Sequence, residues 1–147
     1  MEESLNSDDV WIIDSSITPG TGYSPSYAIS QVQGGFHLVR SKVTSPDTAL
    51  WLSGAGINTS RALEIVESHI DAVGAAICVN ALWNSITVRG SVLTGSNIVG
   101  DCGWIPGPGY SISIAQSQLA GSTALLRPGV DKMVQCYDGA YNPIPNL

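Results

Sequence analysis

The chain has 147 residues, a length that suits one domain with a real core. Hydrophobic residues make up 44% and charged residues only 12%, so disorder is disfavoured and Gly, Pro, Ser and Thr supply the polarity. A net charge of −6 with six Lys and Arg and no basic run excludes nucleic acid and anionic membrane surfaces as expected partners.

Residues 1–9 read as a polar N-terminal tail. The acidic opening Met1-Glu2-Glu3-Ser4 is not a secretory signal, so the expected setting is cytoplasmic, or secreted if a leader is missing. No apolar stretch is long enough to span a bilayer; the best, residues 72–79, is far too short.

From residue 10 a pattern recurs: apolar, any, apolar, variable, any, Ser, any, apolar. Its copies are 10–17 (VWIIDSSI), 36–43 (FHLVRSKV), 63–70 (LEIVESHI), 86–93 (ITVRGSVL) and 112–119 (ISIAQSQL). A degraded sixth copy, 133–136 (MVQC), has Cys136 in the Ser position. The recurring residues Ser15, Ser41, Ser68, Ser91 and Ser117 are spaced by 26, 27, 23 and 26. After a turn, each copy is followed by a second short apolar stretch: 27–29, 49–52, 76–79, 97–99 and 124–126. Short strands punctuated by turns at this period imply units that bury their apolar faces only by stacking on neighbours.

Alternate residues of such a strand point inward, so successive copies should stack their apolar positions in columns. A Ser recurring at one inward position should form a ladder, each hydroxyl bonding to its neighbour or to backbone. One rival pattern exists. Leu63, Val66, Ile70, Val73 and Ile77 fall at helical spacing behind a capping Ser60. Gly74 in mid-segment and the β-branched residues weigh against that helix, and the other copies lack helical periodicity.

In coil length, strand pattern and recurring small residue, residues 10–138 resemble the right-handed parallel β-helix proteins, the pectate lyase-like group that includes polygalacturonases and phage tailspikes. The resemblance implies an all-β solenoid of about five to six coils. No catalytic motif of those enzymes is matched. Residues 139–147 read as a C-terminal tail or cap, whose prolines would block strand addition. The N-terminal coil looks open, which points to a homo-oligomer or to contact with the rest of a longer parent chain, a tailspike-like trimer included.

Aligning the copies gives outward columns. One reads Trp11, His37, Glu64, Thr87, Ser113; the next Asp14, Arg40, Glu67, Gly90, Gln116; a third Ser16, Lys42, His69, Val92, Gln118. Read for catalysis, Glu64 and Glu67 form an acid/base pair, His69 or His37 a base, and Arg40 or Lys42 a holder for a uronate carboxylate. Read for stability, the same columns are cross-strand charge pairs. Trp104, in the aromatic loop 103–110, is a further candidate for stacking on a sugar ring. Residues 90–95 superficially resemble a phosphate loop but lack its Lys. Cys78, Cys102 and Cys136 contain no Cys-x-x-Cys pair, so buried free thiols are expected and no metal or cofactor is implied. Asn58-Thr59-Ser60 matches the N-glycosylation pattern, which matters only in a eukaryotic secretory setting.

The composite expectation is a non-catalytic β-helix module that binds an extended carbohydrate or serves a structural or adhesive role. The alternative is a polysaccharide lyase or glycoside hydrolase acting on an acidic glycan.

Overall fold

Alternating apolar and polar residues in short runs favour strands half-buried on one face, and strands are what form. The computed structural model describes residues 9–19, 27–31, 35–53, 62–80, 85–101, 111–124 and 126–147. In chain order, β1 (Val10–Ile13), β2 (Ser16–Ile17) and β3 (Ile29–Gln31) begin the chain. Next come β4 (Phe36–Val39), β5 (Lys42–Ser45) and β6 (Leu50–Ser53), then β7 (Ala62–Val66), β8 (His69–Ala72) and β9 (Ala75–Asn80). β10 (Ser85–Arg89) precedes the long β11 (Val92–Asp101), followed by β12 (Ser111–Ala115) and β13 (Gln118–Ser122). β14 (Lys132–Val134) and β15 (Tyr137–Asp138) complete the set. The protein is all-β. The described residues contain no helix, and so none long and apolar enough to cross a membrane.

Two sheets of parallel strands result. The first has six strands in the order β1-β4-β7-β10-β12-β14, and the second nine: β2-β5-β8-β11-β9-β6-β3 in order, with β13 paired to β11 and β15 paired to β13. The second sheet curls because β11 pairs with β8 through Val92–Thr94 and with β9 through Asn97–Asp101. Strands of successive copies of the sequence pattern thus lie side by side, an arrangement compatible with a β-helix-like solenoid. The segment that could have been helical is instead β7, β8 and β9, with Val73 exposed at the bend between β8 and β9.

Register follows the recurring Ser. Phe36 pairs with Leu63, and Ile86 with both Leu63 and Ile112. Leu38, Ile65, Val88, Ile114 and Met133 form a second inward column, and Val43, Ile70, Leu93 and Leu119 a third. All of these side chains are buried. Each buried large aliphatic side chain contributes about 2 kcal/mol of transfer free energy, so the columns are the main stabilising term.

Between the two sheets the chain turns a corner, and the Ser ladder sits there. Ser41, Ser68, Ser91 and Ser117 are buried. Each of these hydroxyls, and that of Ser15, donates to the carbonyl two residues back, at 2.8 Å in all five cases. Each buried hydroxyl also accepts the backbone N–H of the Ser one copy earlier: Ser15 to Ser41 at 3.0 Å, Ser41 to Ser68 and Ser68 to Ser91 at 3.1 Å, Ser91 to Ser117 at 3.2 Å. The ladder is therefore hydroxyl-to-backbone, never hydroxyl-to-hydroxyl. Cys136 ends it as a free, buried thiol. Burial pushes that thiol's pKa up, and the Ser117 N–H at the sulfur pulls the other way. Cys78 corrects the expectation of three free thiols. It is disulfide-bonded, with its partner outside the described residues. A bond between segments distant in sequence leaves no local spacing motif by which to foresee it.

A second bend is built on glycine. A Cβ on Gly95 would come within 2.7 Å of the Gly74 carbonyl, and one on Gly121 would clash with the Gly95 carbonyl. The backbones of these three copies approach too closely there for any side chain.

The C-terminal end is finished by different chemistry. Asp131 is buried, and its carboxylate accepts the N–H of Ile112 at 2.9 Å, next to the place where β14 begins. The same carboxylate takes the Arg127 N–H at 2.8 Å and its guanidinium at 3.1 Å. Burial alone would raise the Asp131 pKa; the Arg127 and backbone hydrogen bonds outweigh it and hold the carboxyl below its usual range. Beyond β15 the chain folds back. Ile144 N–H donates to Cys136 O at 2.8 Å, Leu147 N–H to Met133 O at 3.1 Å, and Asn146 Oδ1 accepts Gln135 N–H at 3.1 Å.

Two outcomes follow from this chemistry. Ser68→Ala leaves the buried Ser41 N–H without an acceptor and is expected to lower unfolding free energy by about 1–3 kcal/mol. Ser15→Ala, at the exposed end of the ladder, is expected to cost about 0.5 kcal/mol or less by the same urea titration. Asp131→Asn breaks a buried pair and is expected to cost about 3 kcal/mol. Because the Asp131 pKa is lower folded than unfolded, its contribution is complete above about pH 4 and is lost as pH falls through the folded value. Urea midpoints measured from pH 7 downward should therefore converge for wild type and Asp131→Asn.

Candidate functional site

The corner that buries the Ser ladder also fixes what lies outside it. The residue before each Ser turns into the left-handed region: Asp14 (φ 50°), Arg40 (45°), Glu67 (47°), Gly90 (57°), Gln116 (51°) and Gln135 (52°). Each of the first five donates its N–H to the carbonyl preceding the corner of the next copy, as Arg40 does to Val66 O at 3.0 Å, whereas Gln135 donates to Asn146 Oδ1 of the returning tail. This conformation costs a residue with a Cβ about 1–2 kcal/mol. Glycine suits it, and position 90 is glycine. At the other corners the side chains project outward in a column, flanked by the column Ser16, Lys42, His69, Val92, Gln118, which the strand register confirms.

Together the two columns line a shallow, open groove of about 550 Å³ that runs across four successive copies. Asp14, Arg40, Lys42, Glu67 and His69 border it, with Gly90 and Val92 at its far end. Arg40 grips Asp14 with two hydrogen bonds, Nε to Oδ1 at 2.7 Å and a terminal nitrogen to Oδ2 at 2.8 Å. The Arg40 hydrogen bond holds the Asp14 carboxyl below its usual pKa and raises that of the guanidinium in return. Glu67 adds to the same field at Arg40 from the other side. Lys42 and His69 are direct register neighbours, and no hydrogen bond or ion pair links either side chain to the described residues.

His37 and Glu64 lie on the adjacent sheet face, not in this groove. His37 Nδ1 is 3.1 Å from Glu64 Oε2 and Nε2 is 3.5 Å from Asp9 Oδ2, with 13% of the side chain exposed. Trp11 stacks on the imidazole, centroids 3.8 Å apart and planes 6° from parallel. The other Glu64 oxygen meets Arg89 at 3.4 Å. Thus Glu67, His69, Arg40 and Lys42 are brought together, while Glu64 pairs with His37 in a separate cluster. Trp104 lies outside the described residues.

Asp9, Arg89 and Asp14 belong to these clusters although none was singled out as a site residue. The signal for Asp14 was present, since it stands in an outward column of the repeat; Arg89 stands at the variable position of its copy, which carried none. Asp9 precedes the first copy and had no such marker. Among the described residues, no group of three or more His, Cys, Asp or Glu converges where it could hold a metal ion. Comparisons with protein-family models, with curated proteins and with solved structures returned no match to this chain.

Glu67 gains nothing in backbone energy from being Glu. Glu67→Gly is expected to raise stability by about 0.5–1 kcal/mol, the left-handed penalty less the extra chain entropy of glycine. Arg40→Gly should show no such gain, because the Asp14 pair is lost with the side chain. Urea midpoints for the two variants check the difference. An unchanged or lowered midpoint for Glu67→Gly would mean its side chain stabilises the fold.

Proposed function

We propose that the chain is a right-handed parallel β-helix of five to six coils acting as a non-catalytic module that binds an extended carbohydrate along its corner groove. The observation that carries this reading is the groove itself: shallow, open along its length, and lined in each of its first three copies by polar or charged side chains. Strands about 4.8 Å apart present such groups at a spacing close to that of the residues of a linear sugar chain. Lys42 and His69, free of partners among the described residues, are the groups available to a ligand's acidic or hydroxyl oxygens. Glu64 is held by His37 and Arg89, away from Glu67.

One observation favours the enzymatic alternative, a lyase or hydrolase of acidic glycans. Glu67 and His69 border the same groove, a carboxylate and an imidazole two residues apart in the chain.

Affinity electrophoresis through acidic and neutral polysaccharides, with assay of new chain ends in the same samples, separates the readings. The expected result is retardation by an extended polysaccharide without cleavage, weakened at least about tenfold by the double variant Lys42→Ala/His69→Ala, or about 1.4 kcal/mol. New chain ends that vanish in Glu67→Gln would overturn the non-catalytic reading. Absence of both retardation and cleavage would leave the structural or adhesive role in its place.

A further inference from the structure

The corner column of the groove is interrupted at its fourth copy. Among the described corners, Gly90 alone lacks a side chain. The left-handed turn does not itself demand glycine, because Asp14, Arg40, Glu67, Gln116 and Gln135 all make it, with φ between 45° and 52°. Beside Gly90 the flanking column carries Val92, half-buried and apolar, where the copies on either side carry His69 and Gln118. On the C-terminal side of this gap the side chains lean away from it. Gln116 donates to Gln135 Oε1 at 3.4 Å, and Gln118 to the carbonyls of Asp138 and Gly139 at 3.3 and 3.2 Å. On the N-terminal side Glu67 leans in, its Cγ 3.6 Å from where a Cβ of Gly90 would stand. The strands bounding the gap are two inter-strand steps apart, about 10 Å.

We propose that this gap is a subsite for one neutral pyranose ring, with Gly90 and Val92 as its floor and Glu67 and His69 as its polar edge. The inference rests on the reading of the groove as a carbohydrate site and adds where a ring is seated and of what kind. A pyranose has a face of C–H groups and a rim of hydroxyls. The bare Gly90 backbone and the Val92 methyl groups offer that face dispersion contacts. The Glu67 carboxylate accepts from hydroxyl donors, and the His69 ring offers a donor or an acceptor. Neither side chain has a hydrogen-bond partner among the described residues. The same carboxylate selects against an acidic substituent at this step, because like charges brought together are costly.

Gly90 then determines specificity through the side chain it lacks. Any larger residue there would project outward, as at the other corners, and stand where the ring lies. The fifth copy shows the closed form of the same site. It carries Gln116 and Gln118 in the two positions held by Gly90 and Val92, and the groove ends before it.

Affinity electrophoresis of the full chain through hydroxyethylcellulose, galactomannan and polygalacturonate tests this. The variants are Gly90→Gln and Val92→Gln, each giving the fourth copy the residue that the fifth already carries. Both are expected to keep the wild-type circular dichroism, Gly90→Gln with a lower urea midpoint because its corner gains a Cβ. Wild type is expected to be retarded by at least one of the two neutral polymers, and each variant to bind that polymer at least about tenfold more weakly. Val92→Gln leaves the left-handed corner untouched and decides the matter if Gly90→Gln does not fold. A folded variant retarded as strongly as wild type overturns the subsite and leaves the carbohydrate reading of the groove in place. Retardation of wild type by polygalacturonate alone, whose every ring is acidic, does the same. Wild type unretarded by all three polymers overturns the carbohydrate reading and the subsite with it.

Discussion

The structure depends on a two-sided hydrogen bond at one corner. Each Ser hydroxyl in the ladder donates to its own strand's last carbonyl and accepts the N–H of the Ser one copy earlier. A buried backbone amide at a bend cannot find a strand partner in the ordinary ladder, and leaving it unmade costs more than the bond returns when made. The hydroxyl is small enough to fit inside the bend and supplies a donor and an acceptor together. Alanine would fill the same space and leave the N–H of the earlier Ser without an acceptor, while the carbonyl would keep the N–H it accepts from the preceding copy, as Val66 O does from Arg40. Because the bond runs from one copy to the next, it also locks register: a slip of one residue would break every rung and turn each apolar side chain outward.

That corner determines the candidate site as well. For Ser to point inward after the first strand, the residue before it must take a left-handed conformation, and its side chain is thrown outward. The chain therefore presents one projecting residue per copy, at inter-strand spacing, along a line parallel to the stack. Glycine would make this turn at lower cost, as it does at position 90. Asp14 and Arg40 recover part of the cost through their mutual hydrogen bonds, and Gln116 through its contact with Gln135 at 3.4 Å. Glu67 has no comparable bond among the described residues and is the corner residue whose presence is least explained by stability. The groove is thus a by-product of how the core is closed, and residue choice along it is free to serve binding.

Most of this was legible in the sequence because one position anchored the rest. Once Ser15, Ser41, Ser68, Ser91 and Ser117 are aligned, the inward and outward columns follow by alternation, and the strand register agrees with them copy by copy. What was not legible has a common cause: it depends on close approach and not on pattern. Nothing in Asp, Arg, Glu or Gln announces a left-handed backbone. Gly95 and Gly121 look like ordinary turn residues until carbonyls of neighbouring copies are found where their Cβ atoms would lie. Arg127 and Asp131 stand four apart, a spacing that in a strand-and-turn context carries no expectation of pairing. The disulfide at Cys78 was missed for the same reason. Alignment also did not separate His37 and Glu64 from Glu67 and His69, because it could not show that the corner places them on different faces.

A stack made of equivalent units has no intrinsic length, so its limits must be set by departures from the repeat. At the C-terminal end there are three: a thiol replaces the hydroxyl at Cys136, a carboxylate replaces a strand carbonyl at Ile112, and the tail folds back over Met133 and Cys136. In its described residues the first copy keeps the Ser and the alternation of the repeat. The charged side chains are distributed with the same asymmetry. Asp14, Arg40, Lys42, Glu67 and His69 occupy the first three copies, whereas the same two columns continue as Gly90, Val92, Gln116 and Gln118. The charge of the groove is therefore confined to those three copies, and any ionic contact with a ligand would be made there.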